Sequence, residues 1–565
     1  MTFAATPHPN VLQPPVSVLR ARSHRWLVGA LTALLIGFAT GAMAQPLWFV
    51  GGKPTQAALQ AVSALVDAPA DGLEPEDYDA DTLRRSIAQA ANGPTLPPEA
   101  VDRLDGALTA AMHRYLSDLH KGRVDPRKVQ ANFTMTEEKP FDPDSYLRAA
   151  VQANRLPAAI REAAPSFPLY GTLREALARY RGLAAQPHWK TPLPALPEGK
   201  LKEGMRYTGL PQMAQRLTAL GDLPSGTPVP ATYTGPLVAA VKSFQARHGL
   251  EADGVIGPAT LVQLNTPPSA RVRQIVLTME RLRWTPLAEG SRMIVVNIPE
   301  FMLRAYEFHE GKLDIRLEMK VIVGKALDTR TPLFKEDMRY IEFSPYWNVP
   351  RSIATKEIIP RLQRDPAYFD RQGFEFVAGN EVIKQLNSAN MQAVLNGQMR
   401  IRQRPGPLNA LGDIKFVFPN NQAIYLHHTP APQLFKRGRR DLSHGCIRVE
   451  DPVALARFVL KDMPEWTEER IRQAMGAGKA STVSLANPLP VTLAYGTAVA
   501  RADGRVYFLA DIYGQDKVLG QALQQRAARR ASHTPAVRAT PPANRAASAR
   551  PPETSNIEPT SSQAS

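Results

Sequence analysis

The sequence predicts a multidomain α+β protein: a helical region, a small three-helix unit, and a mostly β domain with a helical insertion. Its 565 residues are enough for several hydrophobic cores. Apolar residues recur at helical intervals from residue 45 to about residue 200. From about residue 271 the pattern changes to short β-branched or aromatic runs separated by turns, which is typical of strands.

The first region, residues 45–200, is predicted to be a helical scaffold. Residues 56–66 are Ala-rich with apolar spacing, and residues 104–119 and 173–183 carry Leu at helical intervals. A proline-rich linker at 192–197 closes the region. Because the region has no cluster of chemically reactive side chains, we expect no active site there.

Residues 201–266 are predicted to form the three-helix unit. Gly235-Pro236 starts one helix with proline at the favoured first position, and Gly249 ends it. A shorter helix is predicted at 259–264, and an earlier one at 210–220.

The mostly β domain is predicted over residues 271–480. Strands are predicted at 293–298, 301–308, 317–323, 340–343, 414–418 and 423–426, helical or mixed structure at 352–362 and 381–395, and a helix at 451–460. Residues 481–520 are interpreted as C-terminal strands that pack on the scaffold, with 506–509 the clearest of them.

The C-terminal residues 521–565 are predicted to be a disordered basic tail, because their Ala, Pro, Arg, Ser and Thr cannot bury a core. The formal net charge is +16, and residues 517–552 hold six Arg and one Lys without any Asp or Glu. The tail is therefore either a solvated end or a contact for an anionic polymer or membrane surface. The remaining surface is only mildly basic, so we expect no nucleic-acid partner.

Residues 1–44 are predicted to be an export signal. Arg20, Arg22 and Arg25 precede an apolar run at 26–43, and Ala42-Met43-Ala44 supplies a cleavage pattern. The alternative is an uncleaved inner-membrane anchor. Both interpretations place the rest of the chain outside the cytoplasm, in the periplasm.

The chain has one cysteine, Cys446, so an intramolecular disulfide is excluded. A lone thiol in an exported protein is either buried or reactive. Here it follows Ser443-His444-Gly445, and His427-His428 lies 19 residues upstream of it.

This pattern indicates nucleophilic catalysis by a thiol. A free thiol is mostly protonated at neutral pH, and an imidazole within hydrogen-bond reach makes the reactive thiolate. Gly445 lets the backbone approach a substrate, and the backbone N–H groups around Gly445 and Cys446 are candidates for an oxyanion hole. A metal site built from the cysteine and histidines is the weaker interpretation. His427 and His428 are adjacent on a strand and point to opposite faces, and the chain has no HExxH or CxxC motif.

Two segments carry a family resemblance. The three-helix unit resembles the type-1 peptidoglycan-binding module in Phe244-Gln245, His248-Gly249-Leu250, Asp253-Gly254-Val255-Ile256-Gly257, Thr260 and Leu264-Asn265. His427, followed after a spacer by Ser443-His444-Gly445-Cys446-Ile447-Arg448, resembles the L,D-transpeptidase signature. Further matches are Arg281-Leu282-Arg283-Trp284, Val321-Ile322-Val323-Gly324, Thr331-Pro332, Pro345-Tyr346-Trp347-Asn348-Val349-Pro350, Pro405-Gly406, Asn409-Ala410-Leu411-Gly412 and Asp511-Ile512-Tyr513.

The resemblance to the large, scaffold-bearing L,D-transpeptidases implies a domain layout. A signal peptide at 1–44 precedes a helical scaffold domain at 45–200 and a peptidoglycan-binding domain at 201–266. The catalytic domain would span 271–480, with a capping insertion over the active site at 351–408. No metal or organic cofactor is implied.

The resemblance also implies roles for the catalytic residues. Cys446 would be the nucleophile and His427 the base, with His444 as the alternative base. Ser443 and Gly445 would shape the oxyanion region. In the substrate-binding group, Arg448 would anchor a charged part of the donor stem or brace the loop, and Tyr425 would line the channel. His428 would orient the His427 ring through its backbone carbonyl.

The implied reaction is acyl transfer to and from Cys446. The thiol would attack a diaminopimelate carbonyl in a tetrapeptide stem, release D-alanine, and pass the acyl group to another stem as a 3→3 cross-link. Acylation by carbapenems is a further implication. With water as acceptor the protein would be an L,D-carboxypeptidase, and with a protein amine a lipoprotein-anchoring enzyme. A non-catalytic cell-wall-binding scaffold is the alternative from another class.

Overall fold

The computed structural model describes residues 45–533, except 131–132, 134–139, 286–289, 311 and 328. The predicted signal or anchor at 1–44 and the tail beyond residue 533 lie outside the described residues. None of the described helices combines the length and the apolar character that crossing a membrane requires.

The front region is helical, as predicted, and follows a short hairpin of β1 (Phe49–Val50) and β2 (Lys53–Pro54). Its helices are α1 (Gln56–Val66), α2 (Ala80–Asn92), α3 (Pro98–Lys121), α4 (Pro126–Val129), α5 (Pro143–Gln152), α6 (Leu156–Ala163) and α7 (Pro168–Ala184). The Thr55 hydroxyl caps α1 by accepting a hydrogen bond from the Ala58 amide. Trp48, Tyr78 and Leu116 lie in its shared core.

The unit at 201–266, all of which is described, consists of α8 (Leu210–Ala219), α9 (Pro236–Arg247) and α10 (Pro258–Asn265). Gln245 holds the turn between α9 and α10. Its side-chain nitrogen donates to the Val255 carbonyl at 2.9 Å, and its side-chain oxygen accepts from the Gly254 amide at 2.8 Å. The matched Gln245 and Gly254 therefore stabilise the fold of this unit.

A helix that the sequence analysis missed, α11 (Pro268–Trp284), follows immediately. The prediction that strands begin at about residue 271 was wrong for this stretch. The helix is buried on several sides and carries charges inside: Glu280 is fully buried and ion-paired with Arg123 and Arg283. Such a helix lacks the single apolar stripe by which sequence periodicity is recognised.

The β domain contains a large sheet, as predicted. The strands from residue 292 onward are β3 (Arg292–Asn297), β4 (Met302–His309), β5 (Lys312–Gly324), β6 (Phe334–Phe343), β7 (Trp347–Asn348), β8 (Phe374–Ala378), β9 (Glu381–Ile383), β10 (Arg400–Gln403), β11 (Ile414–Val417), β12 (Leu426–His427), β13 (Asp441–Ser443), β14 (Ile447–Val449) and β15 (Ser481–Ala494). The main sheet has the order β13-β5-β14-β12-β11-β6-β15-β3-β4, and β4 also pairs with β5. The sheet therefore closes on itself around an apolar core.

The helical insertion forms a separate layer, here called the cap, between β6 and β11. Its small sheet has the order β7-β10-β8-β9. The helices are α12 (Arg351–Ile353), α13 (Ile359–Arg364), α14 (Tyr368–Arg371) and α15 (Ser388–Leu395), and a π-helical turn, Ala354–Ile358, joins α12 to α13. The cap has its own core around Phe369, Phe374 and Phe376. It can therefore keep its shape beside the main sheet.

The C-terminal part differs from the prediction in two ways. After α16 (Pro452–Val459) and α17 (Glu468–Gly476), strand β15 pairs with β6 and β3 inside the main sheet rather than on the scaffold. The first half of β15 is largely exposed and shows little apolar alternation, so its pairing with β6 could not be predicted from the sequence. The later hairpin of β16 (Ala498–Ala500) and β17 (Val506–Phe508) does contact the scaffold helix α7, where Phe508 packs edge-on against Tyr180.

The chain then continues as α18 (Gln515–His533), so residues 521–533 are helical and not part of a disordered tail. Arg526 ion-pairs with Asp118 of α3, and Leu519 packs with Leu277 and Trp284. These tertiary contacts stabilise a helix that its weak apolar pattern did not predict.

Candidate active site

Two short parallel strands, β12 and β14, bring the histidine and cysteine segments together. Leu426 lies opposite Ile447, and His427 lies opposite Arg448. Leu426 and Ile447 are fully buried in the main core. Because side chains alternate along a strand, their neighbours Tyr425, His427, Cys446 and Arg448 share the other face.

That face opens into a pocket of about 590 Å³ between the main sheet and the cap. The cap contributes Tyr346, Trp347, Glu357, Ile358, Tyr368 and Phe374 among others, and the sheet side contributes Lys415, Tyr425, His427, Ser443, His444, Cys446 and Arg448. Glu357 is the single acidic residue in this described lining. The pocket therefore brings together most of the predicted site residues under the predicted cap.

Cys446 is half-buried in this pocket. Its Sγ–H donates to the carbonyl oxygen of Ala423 at a sulfur–oxygen distance of 3.6 Å. Burial raises the pKa of the thiol, although hydrogen bonds from Tyr425 and the positive charges of Lys415 and Arg448 oppose that rise. The resting group at neutral pH is therefore a thiol rather than a thiolate.

His427 is buried, and its ring is fixed by the backbone. Its Nδ1 lies 2.5 Å from the carbonyl oxygen of His428, the contact that the sequence analysis assigned to that carbonyl. Burial, together with the smaller effect of the Arg448 guanidinium, lowers the pKa of His427 to about 3, although hydrogen bonds to the carbonyls of His428 and Leu411 oppose the shift. The resting imidazole is neutral, so it can accept the thiol proton only as the sulfur attacks.

Ser443 and Gly445 form a closed turn in front of the thiol. The Ser443 hydroxyl donates to the Cys446 carbonyl at 2.5 Å and accepts from the Gly445 amide at 3.2 Å. The Gly445 N–H, which was a candidate oxyanion donor, is therefore already engaged. Among the described contacts the Cys446 N–H has no acceptor, so it is the donor that remains for an oxyanion.

Gly445 is required at its position by conformation. Its φ is +117°, in a region that favours glycine, and an added Cβ would lie 3.2 Å from Ile424 Cδ1. Its carbonyl accepts a hydrogen bond from the buried Thr331 hydroxyl. Both polar backbone groups of Gly445, its N–H and its carbonyl, therefore make hydrogen bonds within the protein.

His444 and His428 occupy different environments from His427. His444 is exposed, and its Nε2 lies 2.6 Å from Glu357 Oε1 on the cap. The His428 ring faces Asp413, with its Nδ1 3.4 Å from Asp413 Oδ2, and it is not in the pocket lining. The inclusion of His428 in the substrate-binding group was therefore wrong for its side chain, because adjacent residues along a strand point to opposite faces.

Arg448 and Tyr425 line the pocket together with His427 and Cys446. Burial lowers the pKa of Arg448, and among the described residues its Nε has no hydrogen-bond partner. Burial and the adjacent Cys446 raise the pKa of Tyr425, so its hydroxyl stays protonated and donates to the sulfur. The pocket thus offers a guanidinium for a carboxylate of a ligand.

Two positioning residues, Thr331 and Tyr513, were recognised in the sequence only as family matches. Thr331 Oγ accepts from the Gly324 amide at 2.9 Å, and the Tyr513 hydroxyl donates to the Gly324 carbonyl at 2.6 Å. Tyr513 also accepts from the Thr331 amide at 3.2 Å. The two Tyr513 contacts span more than 180 residues of chain, so local pattern analysis cannot reveal them.

Within the described residues, no group of three or more His, Cys, Asp or Glu is arranged to hold a metal ion. The acidic and imidazole groups of the pocket are instead paired with each other or with the backbone. The pocket therefore contains a thiol and a neutral imidazole, and the Cys446 N–H has no acceptor among the described contacts; acyl transfer uses groups of these kinds.

Comparison with known families agrees with this arrangement. Residues 291–478 match the family described as "L,D-transpeptidase catalytic domain". Residues 41–177 match "Scaffold domain", and residues 208–264 match "Putative peptidoglycan binding domain".

A curated relative, the "Putative L,D-transpeptidase" of Haemophilus influenzae, is 33% identical over 251 residues. The match covers 44% of this chain and about half, 49%, of the relative's own length. The likeness therefore extends to part of each protein only.

Two solved structures are more distant. One is a fused Zn-dependent amidase/peptidase/peptidoglycan-binding domain-containing protein from Clostridium acetobutylicum, 12% identical with a TM-score of 0.17, covering 52% of this chain and 99% of that chain. The other is an L,D-transpeptidase from Xylanimonas cellulosilytica, 14% identical with a TM-score of 0.17, covering 54% of this chain and 100% of that chain. At TM-scores this low, neither structure bears on the fold or the site.

Proposed function

We propose that this chain, which belongs to the L,D-transpeptidase family, cross-links peptidoglycan through a Cys446 thioester. The family follows from its catalytic, scaffold and peptidoglycan-binding domains. The substrates are tetrapeptide stems, and the product is a 3→3 link between diaminopimelate residues. The observation that carries the proposal is the register of β12 and β14, which sets His427 and Cys446 on one face of one pocket.

In the first half-reaction Cys446 Sγ attacks the carbonyl of the donor diaminopimelate. The thiol proton passes to His427 as the C–S bond forms, because both groups are neutral at rest and separate ionisation is unfavourable. A buried imidazolium with a pKa near 3 is a strong acid, so it protonates the leaving D-alanine amine. The Cys446 N–H stabilises the oxyanion between these steps.

In the second half-reaction an amine of another stem attacks the thioester. The C–N bond forms and the C–S bond breaks, while His427 takes a proton from the amine and passes it to the sulfur. Water in place of the amine gives an L,D-carboxypeptidase product, and a protein amine gives a lipoprotein-anchored product. The donor stem carries carboxylates, and the Arg448 guanidinium, which has no ion pair among the described residues, is positioned to bind one of them.

The other regions support a location at the cell wall. The export signal predicted at 1–44 would take the chain to the periplasm, either released or held at the inner membrane. The module at 208–264 would bind peptidoglycan and keep the catalytic domain near its substrate. The same thiol would be acylated by carbapenems, whose reactive carbonyl resembles that of the donor.

The test is intact-mass analysis of the full chain with a disaccharide-tetrapeptide, beside Cys446→Ala and His427→Ala. We expect an acyl adduct on Cys446 and a cross-linked dimer, both lost in the two variants. A monomer shortened by one D-alanine would replace the transpeptidase with a carboxypeptidase. Absence of any adduct or product would contradict the enzymatic proposal and leave a wall-binding scaffold.

A further inference from the structure

We propose that Glu357 and His444 form the subsite for the acceptor amine, with Glu357 binding the incoming ammonium group and His444 removing its proton. This inference rests on the proposed transpeptidase function and assigns the second substrate to a defined part of the pocket. It also divides the proton transfers of the two half-reactions between two histidines.

The first support is the contact across the pocket. Glu357 lies in the π-helical turn Ala354–Ile358 of the cap, and turns of this kind occur frequently at functional sites. Its Oε1 accepts from His444 Nε2 at 2.6 Å. His444 lies two residues before Cys446, so this contact joins the cap to the nucleophile segment at the pocket edge.

The second support is the distribution of charge. Glu357 is the single acidic residue of the described lining, and its side chain is 51% exposed, so Oε2 remains open to a ligand. Of the pocket cations, Lys415 is neutralised by Glu342 at 3.1 Å, whereas Arg448 has no ion pair among the described residues. A carboxylate of a ligand is therefore attracted to Arg448, and an ammonium group is attracted to Glu357.

The third support is the proton chemistry. An ionised carboxylate only accepts, so the 2.6 Å contact fixes the hydrogen of His444 on Nε2 and leaves the lone pair on Nδ1. An acceptor ammonium must lose one proton before it can attack, and His444 Nδ1 takes it. The second proton leaves the nitrogen as the C–N bond forms and passes through His427 to the departing sulfur. The sum is thioester plus ammonium giving amide, thiol and one released proton.

The experiment measures the two half-reactions separately in the full chain. Acylation of Cys446 by a disaccharide-tetrapeptide is followed by intact mass. The amounts of cross-linked dimer and of hydrolysed monomer formed from the acyl-enzyme are then measured at increasing acceptor concentration. The variants are Glu357→Gln, Glu357→Asp and His444→Gln, and Glu381→Gln is the matched control because Glu381 is an exposed cap carboxylate outside the pocket lining.

We expect Glu357→Gln to lower the ratio of dimer to hydrolysed product about tenfold, mainly through a higher KM for the acceptor. Glu357→Asp should restore part of the ratio of dimer to hydrolysed product. His444→Gln should lower the maximal rate of acyl transfer to the acceptor. Hydroxylamine, an uncharged nucleophile at neutral pH, should intercept the thioester equally well in wild type and Glu357→Gln. The Glu381→Gln ratio should equal that of wild type.

An unchanged ratio in Glu357→Gln would overturn the inference. An equal loss with hydroxylamine would also overturn it, because it would show that the contact merely supports the cap. A binding measurement separates this inference from the proposed function. Calorimetry with a diaminopimelate tripeptide and the Cys446→Ala chain should show about tenfold weaker binding when Glu357→Gln is added, whether or not wild type forms an adduct.

Discussion

The hydroxyl of Thr331 donates a 2.7 Å hydrogen bond to the carbonyl of Gly445, the residue that precedes the thiol. Thr331 is almost fully buried, and its oxygen also accepts from the Gly324 amide. The strand β5 and the nucleophile segment are therefore joined through one side chain. Since Gly445 already has a φ of +117°, this bond holds a backbone conformation that most residues avoid.

We predict that Thr331→Val slows acylation of Cys446 by about 10-fold to 100-fold, because a small displacement of the nucleophile is costly to reaction rate. It should also lower the free energy of unfolding by about 1–3 kcal/mol, since the Gly324 amide and the Gly445 carbonyl lose a buried partner. Acylation rate by intact mass and urea unfolding measure the two effects.

Thr331→Ser is the matched control, because it keeps the hydroxyl and removes one methyl group. It should retain most of the acylation rate. A Thr331→Ser chain as slow as Thr331→Val would show that packing rather than the hydrogen bond positions Gly445.

Tyr513 supports the same segment from the C-terminal region, which gives the second prediction. Its hydroxyl bonds both Gly324 and Thr331, so Tyr513→Phe leaves the Gly324 carbonyl and the Thr331 amide without that partner. We expect a loss of about 1–3 kcal/mol in unfolding free energy and slower acylation. Tyr507→Phe, which removes a half-buried hydroxyl of β17, is the control. If Tyr513→Phe and Tyr507→Phe changed the acylation rate and the unfolding free energy equally, Tyr513 would have no special role in positioning the segment.

Much of the fold followed from local patterns in the sequence. Helix α1 has the bounds predicted for it, and α9 begins at the predicted Gly235-Pro236. The strands before the cap lie where β-branched runs predicted them. Near the thiol, the alternation rule also separated His427 from His428 correctly, because adjacent strand residues must face opposite ways.

Two of the failures share a physical cause, which is dependence on partners that are distant in the sequence. Helix α11 was missed because its buried charges are compensated by Arg123 from another domain. The Gly445 amide is a different case, because its partner Ser443 is only two residues away, but the sequence does not fix the direction in which the Ser443 hydroxyl points. Glu357 was not singled out because its contact with His444 spans 87 residues of chain.

The third prediction concerns the pH dependence of thiol reactivity. Because burial raises the pKa of Cys446, the thiolate fraction should keep increasing with pH beyond the ordinary range of a thiol. The rate of alkylation by iodoacetamide should therefore rise about tenfold per pH unit from pH 6 to 8, without a plateau. A plateau below pH 8 would contradict this, since it would reveal a stabilised thiolate.

Arg448→Gln tests the electrostatic part of that prediction. The Arg448 charge lowers the pKa of Cys446 and disfavours the His427 imidazolium. Its removal should move the alkylation profile to higher pH, because the thiolate loses a favourable charge. Arg404→Gln, at an exposed position outside the pocket lining, should leave the profile unchanged.

The fourth prediction concerns the attachment of α18, where Arg526 ion-pairs with the buried Asp118 of α3. Arg526→Met leaves that carboxylate without its cation, so we expect a loss of about 2 kcal/mol in unfolding free energy at pH 7, measured by urea denaturation. Burial already raises the pKa of Asp118, and Arg526 opposes the rise. In the variant this pKa rises further, so the loss should shrink as the pH falls and Asp118 becomes neutral.

Lys517→Met is the control for that measurement, because it removes one exposed positive charge from the same helix. Its unfolding free energy should change by less than about 0.5 kcal/mol and show no such pH dependence. If Arg526→Met lost the same amount at pH 7 and at pH 4, the Arg526 side chain would stabilise α18 by packing rather than by neutralising Asp118. The ion pair would then explain nothing about why residues 521–533 are helical, and the apolar contacts of Leu519 would have to account for it.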